Sequence, residues 1–168
     1  MQSSSVRKPE TARPRAQELT LAHSPDSDDA FMFYALATKK IRTGSVHLSH
    51  VLEDIETLNQ RAREGVYDIT AVSFHAYAYL TEEYLLLPCG ASFGDRYGPL
   101  VVSRGTLGAK GLKGKRVAVP GKLTTAFLAL QLYEPEIEPV FTPFDQILER
   151  VARGKADADQ LKTYRKQV

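Results

Sequence analysis

Leu19-Thr20-Leu21-Ala22-His23-Ser24-Pro25-Asp26-Ser27-Asp28-Asp29-Ala30-Phe31-Met32-Phe33-Tyr34 is the stretch whose reading decides the fold. Leu19 to Ala22 has the length and alternation of a short strand. Ser24 to Asp29 is a turn with several candidate helix caps, and Ala30 to Thr38 follows as an apolar helix. Asp28 and Asp29 fall at the start of that helix, where unpaired N–H groups and the helix dipole favour negative charge.

Outward from this unit the pattern repeats. Val46 to Leu52 reads as a second strand, and Asp54 to Glu64 as a helix with Ile55, Leu58 and Ala62 on one stripe and Gly65 at its end. Tyr67 to Ser73 is a third strand and Phe74 to Leu80 a third helix. An extended apolar run, Tyr84 to Pro88, and a glycine-bearing loop, Gly90 to Pro99, lead to a strand at Leu100 to Ser103. Beyond Gly105 to Gly114 come a strand at Arg116 to Val119, a helix at Thr124 to Tyr133, a strand at Glu138 to Thr142 and a helix at Phe144 to Arg153. Strands alternating with helices define an α/β protein with mostly parallel sheets. The expected organisation is a disordered head at 1–17, a first α/β lobe at 18–103, a partial second lobe at 104–158 and a polar tail at 159–168, with a cleft between the lobes.

The 168 residues include 43% hydrophobic and 25% charged residues, the balance of a globular chain with a core. The net charge is +2, and much of the positive charge sits in the head and the tail. Without clustered Lys and Arg on one face, no nucleic-acid partner is expected. No apolar run approaches the ~20 residues that span a bilayer, so no membrane partner is expected. The head lacks the apolar segment of a secretory signal. The single cysteine, Cys89, reads as a buried small hydrophobe beside Leu85, Leu86 and Leu87.

Candidate chemistry concentrates where strands run into helices. In parallel sheets, ligands bind outside the carboxyl ends of the strands, often at helix N-termini. Ser24 either offers its hydroxyl and backbone to an oxygen-rich ligand or only caps the helix. Asp26, Asp28 and Asp29 lack the spaced partners of a metal loop, so no metal is expected. Gly121-Lys122-Leu123-Thr124-Thr125-Ala126 also joins a strand to a helix, and the N–H groups of Thr124, Thr125 and Ala126 suit a carboxylate. Leu123 stands where a phosphate-binding loop needs Ser or Thr, which disfavours a nucleotide. Ala71, Val72 and Ser73 end the third strand near the same space. Ser73 and His75 are two apart without a Gly-x-Ser-x-Gly elbow, which argues against a catalytic pair. His23 is a candidate cleft residue, and His47 and His50 read as surface or packing residues. Asn59, just past the apolar Leu58, reads as a surface residue.

Taken together, His23-Ser24-Pro25-Asp26-x-Asp28-Asp29-Ala30-Phe31-Met32-Phe33-Tyr34-Ala35-Leu36, Val51 to Asn59, Phe93-Gly94 through Gly98 to Val102, and Val117 to Gly121 with Thr124-Thr125-Ala126 resemble the 1,4-dihydroxy-6-naphthoate synthase family of the futalosine route to menaquinone. A sister family, chorismate dehydratase, is similar but fits the Ser-Pro-Asp turn and the Glu53-Asp54-Ile55-Glu56-Thr57-Leu58-Asn59 run less well. The resemblance covers 19 to 158. It implies a type II periplasmic-binding-protein-like fold, a second lobe that is incomplete here, and cleavage of cyclic dehypoxanthine futalosine to 1,4-dihydroxy-6-naphthoate by a lyase step in the cytoplasm. It implies an acidic small-molecule substrate and no cofactor, and leaves the oligomeric state open. Family substrate contacts would fall on Ala71, Val72, Ser73, Thr125 and Ala126, with Asn59 facing the cleft. A non-catalytic solute-binding protein of the same fold is the alternative.

The resemblance also implies a histidine after an apolar strand that follows an Ala-Asp-Ala segment, acting as proton acceptor. Here Ala156-Asp157-Ala158 runs into Asp159-Gln160-Leu161-Lys162 instead, so no catalytic residue is assigned. The central strand of the second lobe is expected to be missing, leaving the helices at 124–133 and 144–153 undercovered and the chain poorly soluble or inactive.

Overall fold

The computed structural model describes residues 16–96, 98–107 and 111–161. The first sheet has the order β2-β1-β3, built from β1 (Gln17–His23), β2 (Val46–Leu52) and β3 (Ile69–Thr70). Both neighbours run parallel to β1, with Leu21 opposite His50 on one side and Ile69 on the other. One face is covered by α1 (Ser27–Ala37), whose Phe33 ring stacks on His23 at 4.5 Å. The other is covered by α2 (Ile55–Ala62), where Ala22, Leu58 and Tyr67 form a buried cluster with Val51, Ile55 and Ala71 around it. Asp54 caps α2, its carboxylate accepting from the N–H groups of Glu56 and Thr57 at 3.1 Å each. Gly65, at φ +65°, ends the segment in the left-handed conformation that glycine adopts at low cost. A short helix, α3 (Phe74–Tyr77), follows β3.

The second sheet has the order β4-β7-β5-β6, from β4 (Leu100–Ser103), β5 (Arg116–Val119), β6 (Glu138–Phe141) and β7 (Ala158–Leu161). β5 is buried on both faces. Val117 and Val119 pack with Phe127 and Leu130 of α4 (Thr125–Tyr133), and Ala118 packs with Ile147 and Val151 of α5 (Ile147–Ala152). The helix expected from Phe144 opens instead as a 3-10 turn over Phe144–Gln146, directly after Pro143.

Four expectations need correction. Strand β1 starts at Gln17, so order begins inside the stretch assigned to the head, of which 1–15 lie outside the described residues. β4 belongs to the second sheet: it pairs antiparallel with β7, Leu100 facing Leu161. The first lobe's sheet therefore closes without residues 100–103. The central strand expected to be absent is present, because residues 158–161 fill the place between β4 and β5, with Val117 opposite Ala158. Backbone hydrogen bonds make that strand, and they do not require an apolar sequence. With it in place, α4 and α5 bury Phe127, Leu130, Ile147 and Val151. The rest of the tail, 162–168, lies outside the described residues. Finally, Cys89 is exposed, as are Leu85, Leu86 and Leu87, because no element among the described residues covers that run.

Candidate functional site

The carboxyl edge of the first sheet is built by backbone bonds that hold three segments in line. Ala71 N–H donates to Ala22 O at 2.9 Å, and Glu53 N–H donates to His23 O at 3.3 Å. The ends of β1, β2 and β3 are thus side by side, with the Ser24 turn at their centre. Ser24 is buried; its N–H donates to Asp29 Oδ2 at 2.7 Å and its Oγ accepts from Asp26 N–H at 3.0 Å. Its local role is that of a turn-former. Asp26, at the N-cap of α1, makes no side-chain cap bond to the helix.

His23 is buried at 4% exposure between the turn and the sheet. Its Nδ1 lies 3.1 Å from Ser24 O, and its Nε2 lies 3.2 Å from His50 Nδ1. A carbonyl only accepts, so Nδ1 of His23 carries the proton and Nε2 accepts from His50 Nδ1–H. His50 Nε2 is then a lone pair, buried without a partner among the described residues. Burial, and then the neighbouring His23, hold His50 below the ordinary histidine range. With both nitrogens engaged, His23 is a structural member of the edge.

Asn59, read from the sequence as a surface residue, is fully buried (0% exposed). Its Nδ2 donates to Ser73 Oγ at 3.1 Å and its Oδ1 accepts from Ser73 N–H at 2.9 Å. This paired bond pins the end of the third strand to α2 and fixes Ser73, while Ala71, Val72 and Ser73 stay half-buried at the edge. The signal was available in the stripe: Asn59 falls beside Leu58 and one turn after Ile55 on a helix whose inner face packs on β1.

The second lobe joins this edge through the turn before α4. Thr124 caps α4, its Oγ1 accepting from Phe127 N–H at 3.2 Å and donating to Gly121 O at 2.9 Å. His75 N–H donates to Thr125 Oγ1 at 3.2 Å, and His75 Nδ1 lies 3.3 Å from Thr124 O. Thr125 is exposed, whereas Thr124 and Ala126 are buried. Ser73 stands at the N-cap position of α3 without a side-chain cap bond, and His75, two residues on in the same helix, makes the contact with Thr125. The candidate residues divide into a buried scaffold, Ser24, Asn59, Thr124 and Ala126, and an accessible rim, Ala71, Val72, Ser73 and Thr125. Among the described residues, no group of three or more His, Cys, Asp or Glu converges as a metal would require. A hollow lined by Ser103, Arg104, Gly105, Thr106, Leu107, Lys115 and Asp157 sits at the amino end of β5, away from this rim. No described helix is long and apolar enough to cross a membrane.

Two α/β lobes meeting at the carboxyl ends of parallel strands define the type II solute-binding class. The alkanesulfonate-binding protein of Xanthomonas axonopodis pv. citri shares this fold at 13% identity and TM-score 0.63, over 88% of this chain and 55% of that one. A protein of Archaeoglobus fulgidus, known from its crystal structure, is 48% identical with TM-score 0.81, over 86% of this chain and 53% of its own. The family described as menaquinone biosynthesis matches residues 19–161, and the chain belongs to that family. The 1,4-dihydroxy-6-naphthoate synthases of Thermus thermophilus and Streptomyces coelicolor are 45% and 36% identical over 84% and 85% of this chain. The chain spans about half of each, 51% and 52%. The family match runs to Leu161, the last residue of β7, so it extends past Ala158, where the sequence reading ended the resemblance.

Proposed function

We propose that this chain carries the substrate-binding half of a cofactor-independent lyase that converts cyclic dehypoxanthine futalosine to 1,4-dihydroxy-6-naphthoate in the cytoplasm. The observation that supports the reading is the pair of contacts Asn59–Ser73 and His75–Thr125, which fix the first lobe's strand edge and join α3 to the start of α4. An acidic ligand suits the amino end of α4, where Thr125 is exposed and the helix dipole favours carboxylate oxygens. The names of the curated relatives support the same chemistry.

An imidazole that acts as general base needs a free ring lone pair. His23 does not supply one, since both of its nitrogens are engaged. His75 is oriented differently: Nδ1 donates to Thr124 O, which leaves Nε2 as the basic nitrogen. The test is titration of the chain with 1,4-dihydroxy-6-naphthoate by calorimetry, alongside a turnover assay on cyclic dehypoxanthine futalosine. Saturable binding that weakens on Thr125→Ala, with little or no turnover, is the expected result. Absence of binding would overturn the reading. Turnover like that of a full-length relative would overturn the expectation of inactivity and assign the base to His75, to be checked with His75→Gln. Preference for an unrelated anion would favour the alternative of a non-catalytic binding protein.

A further inference from the structure

Leu123, the residue that rules out a phosphate-binding loop, has a different task in the fold. Its side chain, from the second lobe, is buried in a first-lobe cluster with Ala62, Ala76 and Leu80. Its backbone N–H donates to Glu56 Oε2 at 3.0 Å, across the lobes. The other oxygen, Glu56 Oε1, accepts from Gln60 Nε2 at 2.8 Å, one helical turn along α2. Both carboxylate oxygens are therefore held, and the glutamate is aimed at the turn.

Gly121 makes that approach possible. A Cβ at Gly121 would lie 2.5 Å from Glu56 Cγ and Cδ, and closer still to Oε2. Gly121 does not have the positive φ that would demand glycine for backbone reasons. The three nearest atoms that a methyl group there would meet all belong to the Glu56 side chain. A carboxylate on a backbone N–H is a charge-assisted bond, and the amino end of α4 lies just beyond it.

The geometry points to Glu56 as a positioning residue, a latch that fixes the Gly121–Thr125 turn on the first lobe and so sets where Thr125 stands relative to the β1–β3 edge. The latch is a property of the chain's own geometry and does not depend on the proposed lyase activity.

Amide hydrogen exchange on the whole chain tests it without a ligand. Glu56→Ala should raise exchange at the Leu123 amide by about tenfold, the loss of one charge-assisted bond. Gly121→Ala should do the same, because the intruding methyl displaces a flexible side chain and leaves the backbone intact. Glu56→Gln keeps an acceptor and should restore part of the protection. The amides of Leu21, Ala22, Val117 and Val119 should keep theirs in every variant. In the Glu56→Ala background, Gly121→Ala should add nothing, since its steric opponent is gone. Unchanged Leu123 exchange in Glu56→Ala, additive effects in the double variant, or an even loss of protection across both lobes would each overturn the assignment.

Discussion

Asn59 holds the strand end that carries Ser73, and it uses both halves of its amide to do so. Asn59→Ala would empty a fully buried position and leave the Ser73 N–H and hydroxyl without their partner at the half-buried edge. We expect a loss of about 2–3 kcal/mol, read as a lower urea midpoint at constant slope. A loss below about 0.5 kcal/mol would mean that water takes over both bonds. His50 gives a pH signature at the same scale. Its folded-state pKa is lowered from 6.5 by burial and then by His23. The unfolded chain therefore binds this proton more readily than the folded one. Stability from this group is full above the ordinary value, falls as pH drops below it, and levels off once folded His50 is itself protonated. Melting temperatures across about pH 5–8 should show the fall in the parent chain. His50→Asn keeps a donor toward His23 and should flatten it; an equal fall in both would remove His50 as the cause.

Among the elements, β1 and β3 are tied by Asp68, whose carboxylate accepts from the N–H and the hydroxyl of Thr20, at 2.8 Å each. Those bonds hold Asp68 below the usual carboxylate range. Their contribution is present above the ordinary value near 3.8 and is lost as pH falls through the lowered one. Asp68→Asn should weaken the parent chain at neutral pH and narrow the difference in strongly acidic solution, as followed by circular dichroism. A difference that does not change with pH would show that the tie does not depend on charge. This element scale is also where the sequence was most legible. Val46–Leu52 and Arg116–Val119 match the expected strands to the residue, because alternation or a doubly buried apolar run defines them. Tyr67 to Ser73 is too long as a strand: only Ile69 and Thr70 pair in the ladder, the Ala71 N–H still donates to Ala22 O, and Ser73 is bonded to Asn59 at the start of α3. Tertiary bonds of that kind leave no period in the chain.

For the molecule as a whole, the covered core and the bare surface tell different stories. Leu85 is 90% exposed and Phe31 85%, with Tyr34, Leu132 and Tyr133 also open. Exposed apolar area on this scale favours association. We expect concentration-dependent self-association in sedimentation velocity, and a single monomeric species at all concentrations would contradict it. The two-lobed plan was readable from strand and helix alternation, and the rim from where the strands ended. The lobe boundary was not readable, because β4 joins a strand far along the chain. Nor was the place of Asp159 and Gln160 in a central strand, since their polarity argues against it while the backbone ladder permits it.

That ladder has a consequence for how the chain is made. Among the described residues, all three strands of the first sheet exist once Thr70 has been synthesised, but the second sheet keeps a gap between β4 and β5 until Leu161 has left the ribosome. The pairing of Leu100 with Leu161 spans more of the chain than that of Leu21 with Ile69, and it is the slower to close. Nascent chains stalled in the tunnel should therefore hold a protected first lobe beside an open second one. Pulse-labelled refolding should show Leu21 and Ala22 gaining protection before the β4 amides of Val101 and Val102, and simultaneous protection would refute the order.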